Sequence, residues 1–496
     1  MDNFPMTQPP ITTDTNNPAD NEIPLCVDLD GTLTLGDLTL ESVLALLVRN
    51  PLYIVLLLYW LVQGGRVRLK TEIARLGVTL DVVHQPWHQE FMSWLQTERQ
   101  RGRPLWLCTA SHASLARPVV KHWGDLFDGF IATEQGPNLS GRTKAERLAA
   151  VFGLRGFDYC GNSRADLAVW RVSRQAVVVG NEGLTRKAAQ CCPIKKSFAV
   201  PELSVGVWLR ALRVYQWPKN LLVFAPILAA HRLAETPTLL SASLAFLAFS
   251  LCASSVYLLN DALDLSADRR HAHKRHRPLP SGVLQLRPAL AMAFLLLLGA
   301  FVLCLVLPFA FGVVLAIYYG LTCLYSFMLK RLAPIDVLML AGLYTLRIVA
   351  GGEATAITLS FWMLLFAVFL FYSLALLKRY VELQALRGQA NQDKSNVAGR
   401  DYRVDDLPWL HTLGIVSGCL AVLVLALYIN SGMVLEMYSE PRWIWALPVL
   451  TLYWISRVWL LARRGQMNED PVLFALRDHQ SLALLAVVAT IVYLSI

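Results

Sequence analysis

Charge is scarce in this chain. Only 16% of its 496 residues are Asp, Glu, Lys or Arg, against 55% hydrophobic residues, and a composition so apolar excludes an ordinary soluble protein and places much of the chain against lipid. Cysteine is sparse and scattered. The nine residues (Cys26, Cys108, Cys160, Cys191, Cys192, Cys252, Cys304, Cys323 and Cys419) include no C-x-x-C pair, so neither a zinc site nor a disulfide framework is indicated, and a reducing cytosolic face fits. Also missing is a basic stretch followed by an apolar core at the start. Residues 1–22 are polar, acidic and rich in Pro, Thr, Asn and Asp, which predicts a disordered tail rather than a secretory signal. The net charge of +9 could suggest nucleic acid or anionic lipid. Its basic residues in the second half, however, occupy short polar breaks between apolar segments, so topology explains them and no nucleic-acid partner is expected.

The hydrophobic content is unevenly spread, and it divides the chain. From Ile23 to Pro201 short apolar runs end in polar turns: Ile23 to Val27 before Asp28-Leu-Asp30-Gly-Thr, Pro104 to Cys108 before Thr109-Ala-Ser, and Ala176 to Val179. Separated by helical stretches, these runs predict an α/β unit with a parallel sheet and a site at the strand C-termini. About 36–103 reads as a helical cap inserted over that site. Within it, Pro51 to Val62 is strongly apolar, too short to span a bilayer, and flanked by Arg49 on one side and Arg66, Arg68 and Lys70 on the other. Two placements stay open for it: a buried cap helix, or a helix lying on the membrane surface.

Residues 202–496 read as an all-α membrane domain. Apolar segments near 205–230, 238–259, 286–306, 309–327, 333–350, 359–377, 410–429, 442–461 and 480–496 predict about nine transmembrane helices. The breaks after the second, fourth, sixth and eighth carry Arg269, Arg270, Lys274, Arg275 and Arg277, then Lys330 and Arg331, then Lys378, Arg379, Arg387, Lys394, Arg400 and Arg403, and then Arg463, Arg464 and Arg477. The opposite breaks hold little beyond Arg232 and Arg442. By the positive-inside rule the N-terminal unit and these breaks face the cytosol and the C-terminus lies outside, as in a bacterial inner membrane.

Two motifs carry chemistry. At the end of the first apolar strand, Asp28 and Asp30 are two residues apart; one carboxylate can attack phosphorus while the other moves a proton, and both can help hold magnesium. In the second half, Asn260-Asp261-Ala-Leu-Asp264-Leu-Ser-Ala-Asp268 places Asn260, Asp264 and Asp268 on one helix face with Asp261 beside them. Crowded carboxylates at a membrane boundary repel one another, and divalent cations bridging to a diphosphate relieve that repulsion. The cationic run from Arg269 through Lys274, Arg275 and Arg277 follows at once. It serves as a topology signal and, next to the carboxylates, as the other half of a phosphate site.

From Ile23 to Pro201 the sequence resembles the haloacid-dehalogenase-like phosphohydrolases, whose motifs appear here in the family's order. The resemblance implies a Rossmann-like fold with Asp28 as nucleophile, Asp30 as general acid/base, Thr109 and Lys144 steadying the phosphoryl group, and Asp166 joining Asp28 and Asp30 in a magnesium site. Asn162 stands where the commoner pattern has Asp, and an amide brings no charge to that place. From Leu203 to Ile496 the chain is similar to the UbiA superfamily of intramembrane prenyltransferases, whose first aspartate-rich motif matches Asn260 to Asp268. In place of a second D-x-x-x-D motif it has Tyr325-Ser-Phe-Met-Leu-Lys330-Arg-Leu-Ala-Pro-Ile-Asp336. It is closer to the branch exemplified by decaprenyl-phosphate phosphoribosyltransferase. Matches to that branch include Gln216-Trp-Pro-Lys219-Asn220, Arg347 with Gly351-Gly352, and Lys378-Arg379-Tyr-Val-Glu382.

That resemblance implies transfer of phosphoribosyl from 5-phosphoribosyl 1-diphosphate to a polyprenyl phosphate, with Mg²⁺ held by Asn260, Asp261, Asp264 and Asp268. Tyr325, Lys330 and Arg347 would orient the lipid phosphate, and Lys219, Asn220, Lys274, Arg275, Arg277, Asp336, Lys378, Arg379 and Glu382 are the other candidates for substrate contact. The phosphohydrolase-like unit would then remove the 5-phosphate of the lipid product. The alternatives are an aromatic prenyltransferase using a prenyl diphosphate, against which the missing second motif counts, and a transporter, which would place its ionisable residues nearer mid-membrane. The membrane is an expected partner, and a homo-oligomer is left open.

Overall fold

The computed structural model describes residues 21–134, 136–387, 401–431, 438–467 and 470–495. All but the last two residues of the tail expected over 1–22 fall outside them, as do Lys394 and Arg400. The chain forms two compact units: the part up to Ala211 together with Leu258–Met292, and Leu212–Tyr257 together with the part from Ala293 onward.

In the first unit the chain runs β1 (Leu25–Val27), α1 (Leu38–Arg49), α2 (Tyr53–Arg75), α3 (Gln89–Gln100), β2 (Leu105–His112), α4 (Ala113–His122), β3 (Gly129–Thr133), α5 (Arg142–Phe152), β4 (Asp158–Gly161), α6 (Leu167–Trp170), β5 (Ala176–Val179), α7 (Glu182–Ala189) and β6 (Ile194–Phe198). The six strands form one sheet in the order β3-β2-β1-β4-β5-β6, and every pairing is parallel. A parallel sheet is covered on both faces, which is why β1, β4 and β5 are buried at every residue. Val27 aligns with Leu107 on one side and Cys160 on the other. The connections leaving β1 and β4 go to opposite sides of the sheet, and such a switch point opens a crevice at the strand C-termini. Asp28 is the first residue beyond β1, with its N–H bonded to the Cys160 carbonyl at 3.0 Å.

Of the stretch read as a cap, α3 packs on the sheet: Phe91, Met92 and Leu95 share one apolar cluster with Leu25, Val27 and Leu105. α1 and α2 make up the rest, joined by a small cluster of Leu46, Leu57 and Ile73, with Leu38 at the start of α1 in the sheet cluster. A buried ion network pins the sheet's other end. Arg103, fully buried, donates to Glu98 at 2.8 Å, to the Ile23 carbonyl at 3.0 Å and to Asp158.

Beyond β6 come α8 (Val205–Ala211), a 3₁₀ run Val214–Phe224, α9 (Ala225–Ala229), α10 (Thr236–Leu263), α11 (Leu265–Arg270), α12 (Leu286–Leu303), α13 (Phe309–Phe327), α14 (Ile335–Thr355), α15 (Phe361–Arg387), α16 (Leu407–Ile429), α17 (Ala446–Arg463), α18 (Pro471–Ala475) and α19 (His479–Ser495). Among the described residues seven helices are long and apolar enough to cross a membrane, against the expected nine: α10, α12 to α15, and the spans Val404–Ile429 and Trp443–Arg463. The expected segment 205–230 is broken instead. Arg213 takes a left-handed conformation (φ +51°), and Pro218 and Pro226 interrupt the ladder that follows. The expected last segment is a 17-residue helix, α19.

Within the second unit α14 is far more buried than α13. Gly351 shows why. A Cβ there would lie 2.0 Å from the Val223 carbonyl oxygen, so only glycine allows α14 to approach the Val214–Phe224 run so closely.

Candidate active sites

At the head of the parallel sheet Asp28 is buried, and Lys144 Nζ, from the first turn of α5, donates to its Oδ1 at 2.7 Å. The same ammonium donates to the Cys108 carbonyl at 3.2 Å and to Tyr159 Oη at 2.9 Å, and Tyr159 donates onward to Asp166 Oδ1 at 2.9 Å. Asp166 Oδ2 accepts from the N–H groups of Asn162 and Ser163 and from Ser163 Oγ. Asp28, Lys144 and Asp166, far apart in sequence, thus belong to one hydrogen-bonded chain. Burial raises the Asp28 carboxyl to about 6 despite the attraction of Lys144. Burial alone would depress Lys144, but Asp28 and Asp166 hold it above its ordinary value.

Asp30 is held differently. Its Oδ1 accepts from Leu38 N–H at 2.8 Å and its Oδ2 from Ser111 Oγ at 2.5 Å. Burial, with Asp37 nearby, raises its pKa to about 7, a value suited to moving a proton near neutrality. Thr109 is buried and its hydroxyl accepts from Ser111 N–H at 3.0 Å. Gly31 is at φ +76°, and a Cβ on it would lie 2.0 Å from Asn162 Nδ2. Asn162 therefore sits directly against the Asp28 to Thr32 loop, and only glycine leaves it room. One further cation arrives from α2: Lys70, buried, donates to the Ala110 carbonyl at 2.6 Å and to Asn138 Oδ1 at 2.7 Å.

The aspartate-rich segment belongs to the same unit. Asn260 and Asp261 lie on the last turn of α10, and the backbone bonds Asp264 N to Asn260 O and Asp268 N to Asp264 O, each 2.8 Å, carry the four-residue spacing across the junction with α11. Asp261 and Asp268, both buried, converge on one guanidinium: Arg277 Nη1 donates to Asp268 at 2.8 Å and to Asp261 at 3.2 Å. Lys274 Nζ lies 3.8 Å from Asp268, while Arg275 bonds its neighbour His276. Two carboxylates within reach of one cation fit the demands of a bridging metal.

In the second unit the expected residues fall into two groups. Lys219 Nζ and Lys378 Nζ both donate to Asp470 Oδ2, at 2.7 and 3.1 Å. Burial would raise Asp470, yet the two lysines hold it well below the usual carboxylate range. Arg347 donates to Asn220 Oδ1 at 2.9 Å and to Tyr318 Oη at 2.9 Å, and its guanidinium carbon lies 5.1 Å from the Tyr344 ring centroid, where Lys219 also approaches, at 5.9 Å. The other group centres on Asp336. One of its oxygens accepts from Arg379 at 2.7 Å and the other from Tyr402 Oη at 2.5 Å, and Arg379 also donates to Glu382 at 2.6 Å and Tyr325 at 3.2 Å. Tyr325 and Arg347 thus serve different networks, and Lys330 lies in the turn Leu329–Arg331 after α13.

Among the described residues no three His, Cys, Asp or Glu side chains form a ready-made metal cage. Magnesium does not require one, because it takes one or two carboxylates and fills its shell with water and substrate phosphate. The all-oxygen donors of Asp28, Asp30, Asn162 and Asp166, and of Asn260, Asp261, Asp264 and Asp268, fit that ion.

Residues 221–485, more than half of the chain, match the UbiA prenyltransferase family. The chain belongs to that family. Residues 25–171 match the haloacid dehalogenase-like hydrolases. This UbiA-family protein is 33% identical over 475 residues to the uncharacterized protein y4nM of Sinorhizobium fredii, covering 95% of this chain and 90% of that one. It is 33% identical over 275 residues to the nodulation protein NoeC of Azorhizobium caulinodans, or 55% of this chain and 88% of that protein. To the decaprenyl-phosphate phosphoribosyltransferase of Mycolicibacterium smegmatis it is 39% identical over 190 residues, 37% of this chain and 59% of that enzyme. With this family membership, and with seven helices among the described residues long and apolar enough to cross a membrane, it is an integral membrane protein.

Several site residues escaped sequence reasoning. Tyr159 occupies a strand interior, where an aromatic reads as core. Ser111 lies two residues past Thr109 without a motif of its own, and Asp470 lies 251 residues from Lys219. Tyr318 and Tyr344 read as apolar helix positions. Lys70 was legible only as a flanking charge.

Proposed function

We propose that this UbiA-family protein transfers phosphoribosyl from 5-phosphoribosyl 1-diphosphate to a polyprenyl phosphate and that its phosphohydrolase-like unit then removes the 5-phosphate from the lipid product. The observation that carries the first half is the state of Asp336. It is the single carboxylate where an aromatic prenyltransferase would have a second aspartate-rich motif, and both its oxygens are engaged, by Arg379 and Tyr402. The lack of a second aspartate pair there counts against the aromatic branch, and the 39% identity over 190 residues with a decaprenyl-phosphate phosphoribosyltransferase supports the phosphoribosyl one.

In this reading Asn260, Asp261, Asp264 and Asp268 hold magnesium with the diphosphate, and the ion supplies positive charge against the charge developing on the leaving group. Arg277, which bridges Asp261 and Asp268, turns to the diphosphate oxygens, helped by Lys274 and Arg275. Lys219, Lys378 and Arg347 are the candidates to neutralise the lipid phosphate, with Asn220 fixing the Arg347 guanidinium. An oxygen of that phosphate attacks C1 of the ribose as the bond from C1 to the diphosphate breaks. Tyr325 and Lys330 are further candidates to orient the lipid phosphate, and Arg379 and Glu382, which share the Asp336 network with Tyr325, are candidates for substrate contact.

For the second half, Asp28 attacks the 5-phosphate, Asp30 protonates the departing ribose oxygen, and Asp30 then takes a proton from the water that releases phosphate from Asp28. Lys144 and Thr109 hold the phosphoryl oxygens, and Asp28, Asp30 and Asp166 would hold magnesium. Both steps belong to the cytosolic face, on which the basic breaks between apolar segments are placed.

The test supplies membranes containing the protein with magnesium, radiolabelled phosphoribosyl diphosphate and a polyprenyl phosphate. The unsubstituted protein should yield ribosyl lipid, Asp28→Asn its 5-phosphorylated form, and Asp264→Asn no labelled lipid. Absence of lipid labelling in the unsubstituted protein, where a prenyl diphosphate and an aromatic acid do react, rejects the phosphoribosyl reading.

A further inference from the structure

The first half of α2, Tyr53–Gln63, is apolar at ten of its eleven positions. A single narrow stripe of Tyr53, Leu57 and Trp60, spaced by four and three, packs with Leu46 and Ile73. The large apolar residues on the other faces, from Ile54 to Val62, are between 43% and 85% exposed. Water does not tolerate so continuous an apolar surface on a folded domain without cover. Of the two placements left open in the sequence, the geometry disfavours a buried cap helix, which would not leave seven large apolar side chains exposed.

The surroundings of the helix say what covers it. From Ser42 to Thr71 the chain has four cations, Arg49, Arg66, Arg68 and Lys70, and no carboxylate. The helix breaks at Gly64 and Gly65, which take φ −149° and +61°, so the apolar rod ends abruptly and the basic turn begins. Charge of one sign beside an apolar rod complements anionic lipid head groups, whereas a protein partner would need a rim of mixed polarity. At a rise of 1.5 Å per residue the rod is about 16 Å long, too short to cross a hydrocarbon core of about 30 Å but suited to lying along its edge. The chain is already anchored in a bilayer by its spanning helices, so the surface it needs is always at high local concentration.

We propose that Tyr53–Gln63 is an interfacial helix that lies in the boundary between head groups and acyl chains of an anionic membrane, with Arg49, Arg66 and Arg68 on the lipid phosphates. It seats the phosphohydrolase-like unit on the bilayer. The helical segment directly after the break carries Lys70, whose Nζ bonds the Ala110 carbonyl at the end of β2, so the chain that leaves the lipid surface goes on to supply a side chain to the rim of the Asp28 site. Resting on the phosphohydrolase reading, this means that the unit draws a phosphate ester borne on a lipid from the membrane in preference to one from solution.

The experiment places the full chain in nanodiscs of phosphatidylcholine with phosphatidylglycerol. Val55→Cys and Val62→Cys are labelled with a polarity-sensitive fluorophore, Leu154→Cys, at another exposed apolar site (76%), is the control, and the labelled unsubstituted protein gives the background from native cysteines. Labels at 55 and 62 should be quenched several-fold more by lipids with a nitroxide high on the acyl chain than by aqueous iodide, with the reverse at 154. Iodide quenching at 55 and 62 equal to that at 154 overturns the proposal, and so does protection from both quenchers, which would mean cover by protein. Arg66→Gln with Arg68→Gln should weaken lipid quenching when phosphatidylglycerol is present and leave it unchanged in phosphatidylcholine alone; equal quenching with and without the arginines in both lipids overturns the assignment of the anionic surface. Val55→Asp with Val62→Asp should lower hydrolysis of a lipid-borne phosphate several-fold while turnover of p-nitrophenyl phosphate is kept. If the phosphohydrolase reading is wrong, the unsubstituted protein hydrolyses neither ester, and the quenching result still stands or falls by itself.

Discussion

Asp28 and Asp30 are both held above the usual carboxyl range, at about 6 and about 7, chiefly by burial. A carboxyl whose folded pKa is raised contributes stability that is complete below its unfolded pKa and is lost as pH rises through the folded value. In EDTA the amides of β1 should therefore exchange faster, after correction for intrinsic rates, at about pH 8 than at about pH 5. Magnesium should narrow that difference, because it holds the ionised pair, and Asp30→Asn should reduce it in EDTA. Protection that grows with pH in EDTA would contradict this account. At Asp470 the opposite holds. Removing its charge in Asp470→Asn leaves Lys219, which is nearly buried, without its partner, and breaking one side of a buried pair costs about 3 to 5 kcal/mol. Thermal unfolding in detergent should show the loss directly, and lipid labelling should fall with it. These residues also mark what was legible beforehand. Asp28, Lys144 and Asp166 could be named because each sits in a short motif, just past β1, on the first turn of α5 and in the turn after β4. Asp470 could not, since only the packing of the helices brings it to Lys219 and Lys378.

Among the elements, spanning helices were legible because twenty apolar residues in a row have few other uses. The segment Phe309–Phe327 coincides with its expectation, and α10 runs four residues past it, to Leu263, carrying Asn260 and Asp261 on helical backbone. The stretch 205–230 misled for a physical reason. Its apolar content is that of a span, but Arg213, Pro218 and Pro226 break the backbone, and hydropathy averaged over a window does not register a break. What α14 requires of that stretch is a close approach. Gly351→Ala would put a methyl group 2.0 Å from the Val223 carbonyl, and overpacking of this kind costs about 1 to 3 kcal/mol. A lower melting temperature in detergent for Gly351→Ala, with Gly320→Ala unchanged because nothing lies within 4 Å of its Cβ, is the expected result. Equal melting of the two variants would show that α14 yields there.

At the scale of the whole molecule, the aspartate-rich segment of the UbiA-family sequence folds as part of the phosphohydrolase-like unit, Leu258–Met292 clustering with the chain up to Ala211. Arg269 is the main tie. Buried, it donates through both terminal nitrogens to Glu41 of α1 at 2.8 Å, through Nη1 also to Gln85 at 3.0 Å, and through Nε to the Pro280 carbonyl at 3.2 Å. In the sequence the same arginine reads as one of a run of topology charges, since nothing local distinguishes it from Arg270. Glu41→Ala leaves the guanidinium buried and uncompensated, at a cost of about 3 to 5 kcal/mol, whereas Asp28→Asn leaves the tie intact. Hydrogen exchange over α11 should therefore rise in Glu41→Ala and stay unchanged in Asp28→Asn, and lipid labelling from phosphoribosyl diphosphate should fall only in the first. Unchanged exchange over α11 in Glu41→Ala would mean that the segment is held without this tie, by contacts such as Arg270 with Asp81 and Arg287 with Asp37. The expected pattern would instead make the phosphohydrolase-like unit a scaffold for the transferase carboxylates, needed even where its own chemistry has been removed.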